Sequence, residues 1–139
     1  MVQPIAGLNV GIYTAVVTIT YDGGSTSTAT VSFTVNSLPP PEILSIEINT
    51  NNSVTVSLNR PSDGKPALII AIYDSNGKLL TMEKRDIAKS GEIIVTEITI
   101  PTTEGAKVKA MMWNSLGTME SLCSPKTKIR NGNNWVDGF

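Results

Sequence analysis

From Tyr13 onward the chain alternates. Tyr13, Ala15, Val17, Ile19 and Tyr21 fall on one side, and Thr14, Val16, Thr18 and Thr20 on the other. A period of two is the mark of a β-strand with two unlike faces. Asp22-Gly23-Gly24 follows, residue types that tolerate the positive φ of a tight hairpin turn. The return run sets Ala29, Val31, Phe33 and Val35 against Thr28, Thr30, Ser32 and Thr34. The pattern predicts a hairpin with a threonine-rich outer face.

Pro39-Pro40-Pro41 breaks the pattern. Three prolines cannot donate ladder hydrogen bonds and favour a stiff polyproline II spacer. Beyond them, "ILSIEINT" and "SVTVSLNRP" alternate around the turn pair Asn51-Asn52, and "ALIIAIYDSNGKLLTMEKRDI" holds two strands joined at Asn76-Gly77. "GEIIVTEITIP" is one further strand, and Lys107 to Trp113 and Leu122 to Ile129 form a last pair. Seven strands over about ninety residues, with turn signals every eight to twelve, predict a two-sheet antiparallel sandwich. The expected fold class is all-β, an antiparallel Ig/FnIII-like β-sandwich with an additional N-terminal hairpin. The expected divisions are a hairpin at 1–37, a proline linker at 38–41, the sandwich at 42–130 and a loose tail at 131–139.

"VKAMMWNSLGTMESL", Val108 to Leu122, collects a tryptophan and three methionines. On a strand, Val108, Ala110 and Met112 share one face, while Lys107, Lys109, Met111 and Trp113 share the other. The lysines mark their face as the wetter one, so Val108, Ala110 and Met112 are expected in the core. Leu116, Met119 and Leu122 are expected to cap the sandwich end. The functional alternative is a Trp113–Met111 platform on which a sugar ring stacks. Aromatics are only 5% of the chain, which favours core or cap. The candidate ligand or contact surface consists of Tyr13, Trp113 and Trp135.

Composition removes several chemistries. The 139 residues include no histidine, which excludes Ser-His-Asp and Cys-His catalysis and every histidine-ligated metal site. The single cysteine, Cys123, allows no internal disulfide and sits among apolar residues as a small core side chain. A net charge of −1 gives no electrostatic reason to expect nucleic acid or an anionic membrane. No apolar run reaches the roughly 18 residues needed to span a bilayer. Met1-Val2-Gln3-Pro4 lacks the basic-then-apolar pattern of a signal peptide, which fits a cytosolic protein or a piece of a longer secreted one.

Local motifs point the same way. "DSNG", Asp74 to Gly77, resembles the start of a calcium loop but lacks the later acidic ligand in register, so a plain turn is expected. Glu47, Glu92 and Glu97 are scattered over outward positions and turns rather than paired for glycoside hydrolysis. Serines and threonines have no base to activate them. No enzyme activity, cofactor or metal is expected.

Two stretches resemble known families. "GIYTAVVTITYDGGSTSTATVSFTV" is similar to the last hairpin of bacterial Ig-like and PKD-like repeats of surface proteins, over about a quarter of the chain. Residues 42 to 129, through "YDSNGKL" and "VKAMMWNSLGTMESL", resemble a fibronectin type III-like or Ig-like module of large secreted proteins of clostridia and related Firmicutes. The resemblance implies a non-catalytic spacer or attachment unit, extracellular or at the cell surface, and transfers no site residues. Two other readings stay open. One is a structural subunit that assembles into a fibre, tube or phage particle by strand pairing between chains; the other is a carbohydrate-binding module. The expected partners are neighbouring domains or identical subunits through the hairpin, or a polysaccharide. In the repeat family the hairpin only ends a domain. A hairpin of about 36 residues cannot bury enough apolar surface to stand alone. It is expected to lie on the second unit, to pair with another chain, or to be a remnant of a longer domain.

Overall fold

The computed structural model describes residues 8–61 and 64–138. All ten strands are antiparallel, and none of the described residues is helical. The chain divides into two compact units between Leu38 and Pro39.

The first unit is a two-stranded ladder of β1 (Gly11–Thr20) and β2 (Thr26–Val35), in unbroken register from Gly11↔Val35 to Thr20↔Thr26. Gly23 and Gly24, at φ 98° and 84°, carry the chain through the connecting loop. Hydrogen bonds from the Tyr21 N–H to the Ser25 carbonyl (2.8 Å) and from the Gly24 N–H to the Tyr21 carbonyl (3.0 Å) close it. The register gathers Tyr13, Ala15, Val17 and Ile19 with Ala29, Val31, Phe33 and Val35 on one face. Threonine and serine dominate the other.

The second unit holds eight strands. β3 (Glu42–Asn49), β4 (Ser53–Asn59) and β7 (Gly91–Val95) form one sheet in the order β3-β4-β7. The other sheet runs β10-β9-β8-β5-β6, from β5 (Ala67–Tyr73), β6 (Leu79–Asp86), β8 (Lys107–Trp113), β9 (Lys126–Asn131) and β10 (Asn134–Gly138). Among its first seven strands, the first, second and fifth share one sheet and the rest share the other. That is the layout of a fibronectin type III-like sandwich, here extended by an eighth strand.

Both sheets contribute to one core. Ile43, Ile46, Val54, Val56, Leu58 and Val95 come from the smaller sheet, and Leu68, Ile70, Ile72, Val108, Ala110 and Met112 from the larger. Burying a side chain of this size is worth about 1.5–3 kcal/mol, so this cluster dominates the folding of the unit. The alternation in Val108–Trp113 lands as expected, with Val108, Ala110 and Met112 fully buried and Lys109, Met111 and Trp113 half-buried on the opposite face. β5 is buried on both faces because it lies between β8 and β6. Outward-facing Ile69 pairs with Lys84 and Met111, long side chains able to cover it.

Four expectations are corrected. β7 ends at Val95 rather than running to Pro101, because Glu97 adopts φ 59° and the Ile98 N–H turns to the Asn52 carbonyl. The last strand of the expected pair begins at Lys126, just after Pro125, rather than at Leu122. Leu116 and Met119 do not cap the core; they are 48% and 61% exposed on a loop, and only Leu122 packs against the cluster. The tail at 131–139 is not loose where it is described. Gly132, at φ 59°, turns the chain so that Asn134↔Asn131 begins a ladder, and the Gly132 N–H donates to Glu104 Oε2 at 2.6 Å. A glycine at positive φ followed by a small amide residue makes a two-residue hairpin loop. Trp135 then anchors the new strand on the core.

Candidate functional site

The three aromatic candidates occupy three different settings. Tyr13 stacks on Phe33 across the β1–β2 ladder, with ring centroids 5.5 Å apart and planes 14° from parallel. Its hydroxyl donates to the Asn9 carbonyl at 2.9 Å. Ring face and hydroxyl are thus both used within the hairpin. Trp113 ends β8 on the face away from the core, paired with Ala67 and bridged to Ser121. Trp135 lies on the core side of β10, opposite Arg130. The sandwich therefore carries Trp113 and Trp135 on opposite faces of one sheet, and they form no common surface.

Cavities open among the described residues of the sandwich unit. One, about 400 Å³, is bordered by Arg60, Lys65, Lys84, Asp86, Ser115 and Leu116. Its charges are largely committed to structure. Arg60 donates from Nε to the Ile87 carbonyl (2.8 Å), from one terminal nitrogen to the Pro61 carbonyl (3.1 Å) and from the other to the Gly64 carbonyl (3.2 Å). Lys84 pairs with Asp86 at 2.7 Å. A second cavity, about 260 Å³, lies on the outer face among Tyr73, Lys107, Lys109 and Thr127. The third, about 180 Å³, is bordered by the β3–β4 turn, the Ile100–Thr102 segment and the β9–β10 hairpin.

In the first of these the Ser115 hydroxyl is hydrogen-bonded to Thr118 rather than to a base, and none of the three gathers two free carboxylates. Among the described residues, no group of three Asp, Glu or Cys side chains is placed to hold a metal ion. The "DSNG" carboxylate serves its own turn: Asp74 Oδ1 accepts from the Asn76 and Lys78 N–H groups, each at 2.9 Å. Cys123 is half-buried against the core, and burial pushes its thiol pKa up. The Ile43 backbone, through a hydrogen bond, acts the other way, and the Glu42 carboxylate adds to the rise. A raised pKa keeps the sulfur as a thiol, the unreactive form.

The residue that sequence reading passed over is Arg130. Alternation in "KTKIRN" puts Lys126, Lys128 and Arg130 on the core side of β9, because Lys126 and Lys128 pair with Ala110 and Val108. Two of these cations have oxygen partners: Lys126 Nζ donates to the Leu44 carbonyl at 2.9 Å, and Lys128 meets Asp137 at 2.8 Å. The Lys128 hydrogen bond and charge hold the Asp137 carboxyl below its ordinary pKa. Arg130 instead lies over the Trp135 ring, 5.7 Å from its centroid. Its Nε is buried without a hydrogen-bond partner, the only such side-chain atom among the described residues. The signal was the continuing alternation, which ran one residue past the point where the strand was expected to stop.

No family model matches the chain, and no curated protein matches it. The chain is similar to the crystal structure of the rat CD45 extracellular region, domains d3-d4, at 14% identity and a TM-score of 0.41, over 99% of this chain and 70% of that one.

Proposed function

We propose that the chain is a non-catalytic β-sandwich module of a secreted or cell-surface protein, acting as a spacer or attachment unit. The observation that carries this reading is the use to which polar chemistry is put. In the 400 Å³ cavity Arg60 is tied to three carbonyls and Lys84 to Asp86, so the charges hold loops and sheet edges in place. A chain without histidine, in which Arg60, Lys84, Lys126 and Lys128 serve as struts, is suited to bearing load rather than to turning over a substrate. In this reading residues 1–37 are the end of an Ig-like unit or an assembly arm, and residues 38–41 are a stiff spacer. Protease treatment of intact cells that express the parent protein tests the location. The sandwich should be cleaved or released from outside the cell; full protection until lysis would sink the reading.

A second reading, a self-assembling subunit, is favoured by the ladder edges. β1 and β2 are ten residues each, carry no charge and no proline, and pair with no third strand among the described residues. The sandwich edges are guarded. β6 carries Glu83-Lys84-Arg85-Asp86, β3 has an irregular register between Ile43 and Ser45, and β7 and β10 are five residues each. Long, uncharged, unpaired edges are the kind that add strands from another chain. Light scattering over a concentration series tests this, and a monomer throughout would remove it.

A further inference from the structure

We propose that the cavity beside the β9–β10 hairpin binds a carboxylate-bearing sugar residue, a uronate, with Arg130 as the group that takes the carboxylate. This deepens the attachment reading by naming what the unit would attach to.

The inference starts from an unmet donor. A buried N–H without a partner is costly, more so when the group is charged, so such groups are rarely left unpaired. Arg130 Nε is one, and the cation has no salt-bridge partner among the described residues. The backbone that carries it is fixed: the Arg130 N–H donates to the Ala106 carbonyl at 2.8 Å, and the Arg130 carbonyl accepts from the Gly105 N–H at 3.0 Å. The guanidinium itself rests over Trp135, which packs against the core. Cation–π contact of this kind orients an arginine while leaving its N–H edge to donate.

The rest of the lining decides the ligand. Arg130 is the only charged residue bordering the cavity; its polar companions include Asn49, Asn52, Thr102 and Asn133. One cation matches one negative charge, and a planar guanidinium fork matches a planar carboxylate. A phosphate dianion would call for more positive charge than this lining holds. Neutral amides and hydroxyls offer the mixed donors and acceptors that ring hydroxyls need. Asn49 illustrates this: its Nδ2 donates to Ser53 Oγ and Thr55 Oγ1 at 3.0 and 3.1 Å, which leaves its carbonyl oxygen to accept. At about 180 Å³ the cavity suits one sugar ring rather than a drug-sized ligand, whose sites run from about 300 Å³ upward. Trp135 is not the stacking platform, since one face is on the core side and Arg130 covers the ring; it is a positioning residue.

The test is a nitrogen-15 NMR titration of the whole chain with galacturonate, galactose and acetate, following the Arg130 Nε–H and the Trp135 indole N–H. Galacturonate should shift both resonances saturably, and it should bind at least about tenfold more tightly than either galactose or acetate. Arg130→Gln should abolish the response, and Arg130→Lys, which keeps the charge but loses the fork, should weaken it. Because Arg130→Gln could disturb β9, Thr102→Tyr at an exposed rim position provides a second variant. It should block binding while leaving the remaining spectrum in place. No shift with galacturonate would mean that the cavity takes no uronate, and the proposal falls. Acetate binding equally well would overturn the sugar assignment, and galactose binding equally well would overturn the carboxylate assignment. Wild-type binding by Thr102→Tyr would put the ligand elsewhere. None of these failures touches the cellular location, which the protease experiment decides separately.

Discussion

From Tyr13 to Ile19 in β1 and from Ala29 to Val35 in β2 every second residue is apolar, yet Ile19 and Val31 on that face remain 52% and 38% exposed. In the sandwich the strands run from five to eight residues, and Val54, Val56, Val108 and Met112 are fully buried. The two regions obey the same local rule and reach opposite ends. Alternation shapes a strand and sorts its side chains, but only a second layer removes them from water. The ladder by itself has one layer; the sandwich has two. Edges differ in the same sense. Charge, irregular register or shortness protects the strands that border the sandwich sheets, while β1 and β2 carry no such device.

The comparison breaks most sharply at Met112. Met112→Asp should unfold the sandwich, since a carboxylate would enter a fully buried site at a cost of several kcal/mol. Lys109→Asp, three residues away on the other face, should change stability by no more than about 0.5 kcal/mol. Equal melting temperatures for the two variants would show that the faces are assigned wrongly.

Next in size is Trp135→Ala, which removes an aromatic side chain packed against the core and should cost about 2–3 kcal/mol in a denaturant titration. An unchanged midpoint would mean that β10 contributes nothing to the sandwich. Deleting residues 1–36 sharpens the contrast from the other side. The sandwich should keep its melting temperature, while any self-association should disappear. Loss of the fold on truncation would show that the hairpin belongs to one shared core.

Smaller effects concern single groups. Cys123 should react slowly with a bulky thiol reagent at neutral pH, faster as the pH rises toward its raised pKa, and fully once denaturant is added. Rapid native labelling at pH 7 would place it on the surface. Asp137 offers the smallest signal. Its folded pKa is depressed by Lys128, so its stabilising pairing is present above the unfolded carboxyl pKa of about 3.9 and is lost as the pH falls through the folded value. Asp137→Asn should flatten the melting profile only below about pH 4; an unchanged acid limb would remove this pair from the account.

Strand content, face assignment and the two turn-marked hairpins at Asp22–Gly24 and Asn76–Gly77 were legible in the chain, because a period of two and turn chemistry are local properties. The face of Met112 followed from the lysines beside it. Strand ends were not legible. Nothing local in "IIVTEITIP" says that Glu97 will take a positive φ, since that depends on the Asn52 carbonyl reaching Ile98. Nor does "RNGNNWVDGF" show that its tryptophan will find the core; the turn signal is there, but its value depends on an open place beside β9. Arg130 is the clearest case. Alternation alone puts it on the core side of β9, where a cation is costly unless it is paired. That Lys126 and Lys128 find oxygen partners while Arg130 finds a tryptophan ring and a cavity lined by amides depends on which loops the two sheets bring together at that end of the sandwich. Periodicity is written residue by residue, whereas a partner comes from a distant part of the chain and exists only once the layers have packed.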